Sequence, residues 1–150
     1  MLLIREVMIQ FLDLKSIQLK QAEELKAAFS RVLESGWYIL GEEVKKFEKE
    51  YAAYCDAREC VGVANGLDAL ILALKALDIG TGDEVLVPSN TYIATWLAVS
   101  HVGATPVPVE PVVGTANMDP ALLEAALTSK TKAIMPVHLY GQPAEMAAII

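Results

Sequence analysis

Basic side chains are scarce in this sequence. Twelve lysines and arginines stand against 19 aspartates and glutamates, which gives a formal net charge of −7 over 150 residues. Nucleic acids and anionic membranes are bound through basic patches, because their phosphates attract lysine and arginine. The acidic balance therefore excludes nucleic acid and membrane from the expected partners.

Long apolar runs are also missing, although 54% of the residues are hydrophobic. Arg5 and Glu6 interrupt the opening stretch MLLIREVMIQFLDL, which also lacks the small-residue cleavage site of a signal peptide. No run approaches the ~20 apolar residues of a membrane span. These absences predict a cytoplasmic protein, with either Met1 or Met8 as its start.

Metal-ligand patterns are lacking as well. The sequence has two cysteines, Cys55 and Cys60, and two histidines, His101 and His138. A structural zinc site takes four ligands, usually in paired short spacings, and no such pairing is present. We therefore expect no metal site, and we interpret both cysteines as free thiols of a reducing compartment.

What is present is an ordered alternation of helical and strand-like patterns. Helical apolar spacing comes first, over 16–35 and 42–55. Short apolar runs separated by helical patterns then follow, which is typical of a parallel sheet with helices on both faces. The fold class is therefore α/β, in three α/β/α layers with a mostly parallel sheet. The predicted strands are 60–64, 83–88, 105–110 and 132–138, and the helices between them are 67–80, 91–102 and 119–127.

The pattern is unfinished at its end. The pattern starts a helix at Pro143 and then stops, with no glycine cap and no strand after it. A sheet interrupted there would leave an unpaired edge. We therefore expect an N-terminal arm over residues 1–15 and an incomplete domain over 16–150, the front part of a longer one.

A turn at the first predicted strand end is a candidate anion site. Ligands of open parallel sheets bind beyond the carboxyl ends of the strands. There the sequence reads Asn65-Gly66-Leu67-Asp68 and starts a helix, whose free N–H groups and dipole favour a phosphate. A plain tight turn is the alternative, because neither the G-x-G-x-x-G fingerprint nor a P-loop is present.

Aromatic residues mark two further strand ends. Residues 89–92 end in Tyr92, which could stack on a flat ligand or pack back on the sheet. His138 fits a base, a ligand or a hydrogen-bonded structural residue, and Tyr140-Gly141 is typical of a loop with close backbone approach. A phosphate site next to a stacking aromatic suits a flat phosphorylated cofactor such as pyridoxal phosphate.

Taken together, stretches of the chain resemble the DegT/DnrJ/StrS family of nucleotide-sugar aminotransferases, which are pyridoxal-phosphate enzymes of the aspartate-aminotransferase fold (fold type I). NGLDAL and PSNTYIATWLAVS are most similar to the branch that aminates C3 of a dTDP-3-keto-6-deoxyhexose. The resemblance makes 16–150 part of the large domain of that fold. The matching stretches are FLDLK (11–15), SGWYILGEEVKKFEKEYAAYC (35–55), VANGLDAL (63–70), GDEVLVPSNTYIATWLAVSHVGATPVPVE (82–110), NMDPALLEAAL (117–127) and KAIMPVHLYGQPAEM (132–146).

The resemblance implies roles for individual residues of the cofactor site. Tyr92 falls at the aromatic position that stacks on the pyridine ring. Asn65, Gly66, Leu67 and Asp68 fall in the turn that holds the cofactor phosphate through backbone amides. Many relatives have threonine or serine in place of Leu67, so the phosphate relies more on backbone N–H groups here.

The resemblance also implies what lies outside the cofactor site. Tyr38 falls in a loop near the sugar substrate, and Glu110 receives no catalytic role. Glutamate is the implied amino donor, and the full-length protein is implied to be a homodimer. The Schiff-base lysine and the carboxylate that faces the pyridine nitrogen follow HLYGQ by several tens of residues in relatives, beyond Ile150. We therefore assign no catalytic residue and expect the 150-residue chain alone not to transaminate.

Two other interpretations of the chain's function fit the same residues. The chain could be a shortened binding or regulatory partner of a full-length aminotransferase. It could also be a fragment of a related pyridoxal-phosphate sugar dehydrase, in which histidine replaces the lysine. The phosphate turn serves both chemistries, so the residues present leave these alternatives open.

Overall fold

The computed structural model describes residues 10–150. The chain divides into two compact units, one ending at Gly62 and one over Val63–Ile150. No helix in the described range is long and apolar enough to cross a membrane. Both candidate start methionines and most of the expected arm lie outside the described residues, and the division at residue 15 stays a prediction.

The N-terminal unit is helical over most of the predicted ranges 16–35 and 42–55, but the first range is divided between two helices that break at Lys20 and Gln21. The Asp13 carboxylate caps the first helix by accepting the Ser16 N–H at 3.0 Å. The second helix ends at Gly36, whose φ of 65° is a left-handed conformation that glycine adopts without steric cost. The helices are α1 (Leu14–Leu19), α2 (Ala22–Ser35) and α3 (Glu42–Tyr54).

The C-terminal unit contains a three-stranded parallel sheet in the order β2-β1-β3. Pro106 and Pro108 lack an N–H, which suits β2 to the edge position it occupies among these strands. The elements are α4 (Gly66–Ala76), β1 (Glu84–Pro88), α5 (Ala94–His101), β2 (Thr105–Val109), a 3-10 turn (Pro120–Leu122), α6 (Leu123–Ala126), β3 (Thr131–Ile134), a second 3-10 turn (Leu139–Gly141) and α7 (Met146–Ile149).

Helices cover both faces of this sheet. Val85 and Val87 point to one face, where they pack with residues of α4 and α5. Leu86 points to the other face and packs with Leu123 of α6. All three β1 side chains are fully buried, so β1 is the centre of the core. The predicted three-layer α/β arrangement is confirmed.

One predicted strand, over 60–64, was wrong. Among the described residues no backbone hydrogen bond joins this segment to a strand, and Val61 is 75% exposed. The Gly62 N–H donates instead to the Glu48 carboxylate of α3 at 2.7 Å. An apolar segment becomes a strand only by pairing with a neighbour, and no described strand pairs with it. The last strand is also shorter than predicted and ends at Ile134.

Candidate functional site

The turn at residues 65–68 forms the start of α4. Asn65 is the N-cap: its Oδ1 accepts the Asp68 N–H at 2.9 Å, and its Nδ2 donates to the Asp68 carboxylate at 2.9 Å. Asp68 therefore has its N–H already bonded, and its carboxylate cannot donate to a phosphate. In the structure Asp68 completes the cap of α4.

The first two N–H groups of α4 remain for a ligand. Within Val63–Ile150, the N–H groups of Gly66 and Leu67 donate to no protein acceptor. Gly66 is exposed, and a Cβ added there would meet nothing within 4 Å. Unpaired N–H groups at the positive end of an eleven-residue helix form a ready anion site.

Tyr92 lies in the turn between β1 and α5, not on the helix, which begins at Ala94. Its side chain is 79% exposed, so the alternative in which Tyr92 packs back on the sheet is wrong. The buried Pro88 carbonyl holds this turn, since it accepts from Trp96 Nε1 at 3.1 Å and from Thr91 Oγ1 at 3.4 Å. The protein thus fixes the turn and leaves the aromatic ring uncovered.

These two turns fit a flat phosphorylated cofactor. The free N–H groups of Gly66 and Leu67 suit a phosphate, and the uncovered ring of Tyr92 suits a pyridine ring. Both turns belong to the same unit, where α4 and α5 pack against each other.

His138 has a structural role in the loop that follows β3. Its Nδ1 accepts the Ala144 N–H at 3.0 Å, so this nitrogen is occupied as an acceptor. Next to it, Tyr140 has a φ of 55° and an 89% exposed side chain, and Gly141 has a φ of 83°. Of the three roles considered for His138, the hydrogen-bonded structural one is therefore the role that its contacts support.

Asn117 is the polar residue that the sequence analysis missed. It is 3% exposed, and its side chain bonds to the backbone of the loop after β3. Its neighbour Ala116 accepts a hydrogen bond from Asn90 Nδ2 at 2.9 Å. In sequence Asn117 looks like an ordinary loop residue before the Asp-Pro helix start, because its partners lie 22 to 26 residues away.

Tyr38 belongs to the N-terminal unit and is 68% exposed. It lines an open cleft of about 290 Å³ between α2 and α3, together with Trp37. Arg31 and Glu43 also line this cleft, and Arg31 donates two hydrogen bonds of 2.6 and 3.0 Å to the Glu43 carboxylate. All the residues that line this cleft belong to the helical unit.

Among the described residues, the other cysteine and acidic side chains do not gather into a site. Cys55 and Cys60 are free thiols. Within residues 10–150, no group of three or more histidine, cysteine and acidic side chains is arranged to hold a metal ion. Glu110 is exposed at the end of β2.

Solved structures give the class of protein to which this fold belongs. The chain superimposes with a TM-score of 0.91 on DesV of Streptomyces venezuelae in complex with a ketimine intermediate, at 57% identity, covering 94% of this chain and 38% of that one. A putative sugar aminotransferase from Streptococcus pneumoniae in its PLP form gives a TM-score of 0.77 at 40% identity, over 80% and 31% of the two chains. The fold is that of the aminotransferases.

The family follows from the sequence match. The model of the DegT/DnrJ/EryC1/StrS aminotransferase family matches residues 19–150, and the chain belongs to this family. The resemblance read from the sequence stretches is thereby confirmed.

Two curated relatives are dTDP-3-amino-sugar transaminases, which is the branch that the sequence stretches predict. The dTDP-3-amino-3,6-dideoxy-alpha-D-galactopyranose transaminase of Aneurinibacillus thermoaerophilus is 61% identical over 95% of this chain and 39% of its own length. The dTDP-3-amino-3,4,6-trideoxy-alpha-D-glucose transaminase of Streptomyces venezuelae is 57% identical over 94% and 37%. The chain thus spans about two-fifths of the length of these relatives.

Proposed function

We propose that this chain supplies the phosphate-binding and ring-stacking part of a pyridoxal-phosphate-dependent sugar aminotransferase. Its substrate is a keto-deoxysugar nucleotide, dTDP-3-keto-6-deoxyhexose, and its amino donor is glutamate. One observation carries the proposal: two unpaired N–H groups and an uncovered tyrosine lie in one unit of a chain 61% identical to a dTDP-amino-sugar transaminase. The working protein is proposed to be a cytoplasmic homodimer.

The chain's own residues have distinct tasks in this proposal. Gly66 and Leu67 donate their backbone N–H groups to the cofactor phosphate, and the α4 dipole stabilises its charge. Tyr92 covers one face of the pyridine ring and excludes water from it. Tyr38 contacts the sugar. Pyridoxal phosphate, when bound, supplies an electron sink for proton removal next to the transferred nitrogen.

The structure supports this division of labour through the way it holds each group. Asn65 uses its side chain to satisfy the Asp68 N–H, which leaves the two preceding N–H groups for the ligand. Trp96 donates to the Pro88 carbonyl and so fixes the turn on which Tyr92 stands. Binding groups that are fixed before the ligand arrives lose less entropy when it binds.

A chimera tests the proposed activity directly. Residues 10–150 replace the matching segment of the Streptomyces venezuelae relative, to which the chain is 57% identical. We expect the chimera to convert dTDP-3-keto-6-deoxyhexose to the 3-amino sugar with glutamate, with the product followed by mass spectrometry. A folded chimera that binds the cofactor but forms no amino sugar, while the unchanged relative acts on its own keto sugar, would refute the proposal.

Two substitutions in the chimera test the role of Tyr92. Tyr92→Ala removes the ring and should weaken cofactor binding about tenfold, because the ring contributes contact area as well as stacking energy. Tyr92→Phe keeps the ring and should bind the cofactor within about threefold of the parent. Equal binding by all three proteins, measured from the cofactor absorbance, would show that Tyr92 does not contact the cofactor.

The 150-residue chain by itself should not transaminate. The resemblance assigns none of its lysines to the covalent bond with the cofactor. Turnover of glutamate and a keto-sugar nucleotide by the purified chain, after exclusion of host aminotransferases by an empty-vector preparation, would contradict this prediction.

A further inference from the structure

Asn117 uses every hydrogen-bonding group of its side chain on one loop. Its Oδ1 accepts the Leu139 N–H at 3.0 Å, and its Nδ2 donates to the Gln142 carbonyl at 3.0 Å and to the Pro143 carbonyl at 3.1 Å. The residue is 3% exposed, so these bonds are shielded from water. Only a side chain with one acceptor and two donors satisfies all three partners, and among residues of this size that side chain is asparagine.

The backbone around Asn117 is itself fixed. The Asn117 carbonyl accepts the Val112 N–H at 2.9 Å, and the Val112 carbonyl accepts the Ala116 N–H at 2.8 Å. Ala116 has a φ of 59°, a left-handed conformation that is uncommon for a residue with a Cβ. Its carbonyl accepts Asn90 Nδ2 at 2.9 Å. The dipeptide Ala116–Asn117 therefore holds two other segments and is held by its own tight loop.

Those two segments follow neighbouring parallel strands. Asn90 lies in the turn after β1, two residues before Tyr92, and residues 139–143 follow β3. The second segment carries Tyr140, whose left-handed φ of 55° persists only where the surroundings hold it. The dipeptide of half-buried Ala116 and buried Asn117 thus determines the relative position of two loops that each expose a tyrosine.

We propose that Asn117 is a positioning residue for the cofactor site. Through its side chain it fixes the loop of Tyr140, and through the Ala116 carbonyl it fixes the turn of Tyr92, so that both loops are in place before the ligand binds. This inference rests on the proposed function, because it assigns Tyr92 to the cofactor. Asn117 itself touches neither cofactor nor substrate.

The test uses the chimera and a probe that cannot react with lysines, 4′-deoxypyridoxine 5′-phosphate. Asn117→Asp keeps the acceptor for Leu139 but turns an oxygen toward the two carbonyls, which should release the loop. We expect about tenfold weaker binding of the probe, as for the loss of a buried hydrogen bond. Hydrogen exchange at the Gly141 and Gln142 amides should accelerate by a similar factor, while the β1 amides stay protected.

Asn90→Ala is the second variant, because Asn90 is exposed and its removal leaves the core intact. It should weaken probe binding about threefold without changing exchange at Gly141, since it frees only the Tyr92 turn. If Asn117→Asp does not fold, Asn90→Ala decides alone. Unchanged probe binding in Asn117→Asp despite faster loop exchange, or unchanged probe binding in Asn90→Ala, would overturn the inference and leave Asn117 with a purely structural role. Failure of the unsubstituted chimera to bind the probe would instead refute the proposed cofactor site.

Discussion

The two units of this protein bury their apolar side chains to very different extents. In the C-terminal unit the three central side chains of β1 are fully buried. In the described part of the N-terminal unit, Ala52 is the only buried hydrophobic residue, whereas Phe29 and Trp37 are 64% and 67% exposed. Both units nevertheless have regular apolar spacing in their sequence.

The difference teaches what apolar spacing does and does not predict. Spacing identifies the face of a helix or strand that is apolar, and an apolar face tends to be buried. It does not identify what covers that face. The strands of the C-terminal unit are followed by helices that cover them, while the aromatic stripe Phe47, Tyr51 and Tyr54 along α3 stays largely exposed over the described residues.

The largest loss of stability is expected from a substitution in the core of the C-terminal unit. Leu86→Ala should cost about 2–5 kcal/mol of unfolding free energy, because Leu86 is fully buried against Val109, Met118 and Leu123. Leu25→Ala removes the same atoms from a side chain that is 50% exposed and should cost less than about 1 kcal/mol. Urea unfolding of the two variants measures the difference, and equal losses would show that the two units are not packed differently.

A smaller loss of stability is expected from removing a single tryptophan hydrogen bond in each unit. Trp96 Nε1 donates to the Pro88 carbonyl at 3.1 Å from a half-buried position, and Trp37 Nε1 donates to the Ile39 carbonyl at 2.6 Å from an exposed one. Trp96→Phe should cost about 1 kcal/mol, since it leaves a buried carbonyl with one partner fewer.

Trp37→Phe is the matched control, because water can replace the lost donor at an exposed carbonyl. It should change the unfolding free energy by no more than about 0.5 kcal/mol. A larger loss from Trp37→Phe than from Trp96→Phe would contradict the assignment of these two environments.

The smallest effect concerns the ion pair of the helical unit. Hydrogen bonding to Arg31 holds the pKa of Glu43 below its ordinary value. The stability from this pair is complete above the ordinary carboxyl pKa and is lost as pH falls through the lowered one. Glu43→Gln should therefore slightly reduce the free energy of unfolding at pH 7. It should not reduce it at a pH below the lowered pKa of Glu43. An exposed pair contributes little, so a large effect at neutral pH would show a more buried interaction.

Much of the fold could be predicted from the sequence because local signals coincide with long-range packing. The apolar run predicted as a strand at 83–88 contains β1 (Glu84–Pro88), and Asp119-Pro120 starts a helical turn as its cap chemistry indicates. The segment 60–64 has the same composition as a strand but lacks a described neighbour to pair with. A strand's identity depends on its partner, and composition alone does not reveal the partner.

The candidate site was predictable in part for the same reason. The helix-start turn at 65–68 and the aromatic at Tyr92 are local features, and the structure adds that Tyr92 is uncovered and that Asp68 serves the cap. Asn117 could not be found in this way, because its three partners lie 22 to 26 residues away. A buried polar residue acts through contacts that only the folded chain brings together.

The measurement that tests the central claim most directly removes one N–H group from α4. Gly66→Pro deletes the N–H at the first helical position, where proline is tolerated, and the extended Asn65 (φ −162°) suits a residue before proline. Gly66→Ala adds a Cβ but keeps the N–H. In the chimera, we predict that 4′-deoxypyridoxine 5′-phosphate binds Gly66→Pro about tenfold more weakly than Gly66→Ala. Equal affinity of the two variants for this probe would contradict the assignment of the α4 start as the phosphate site.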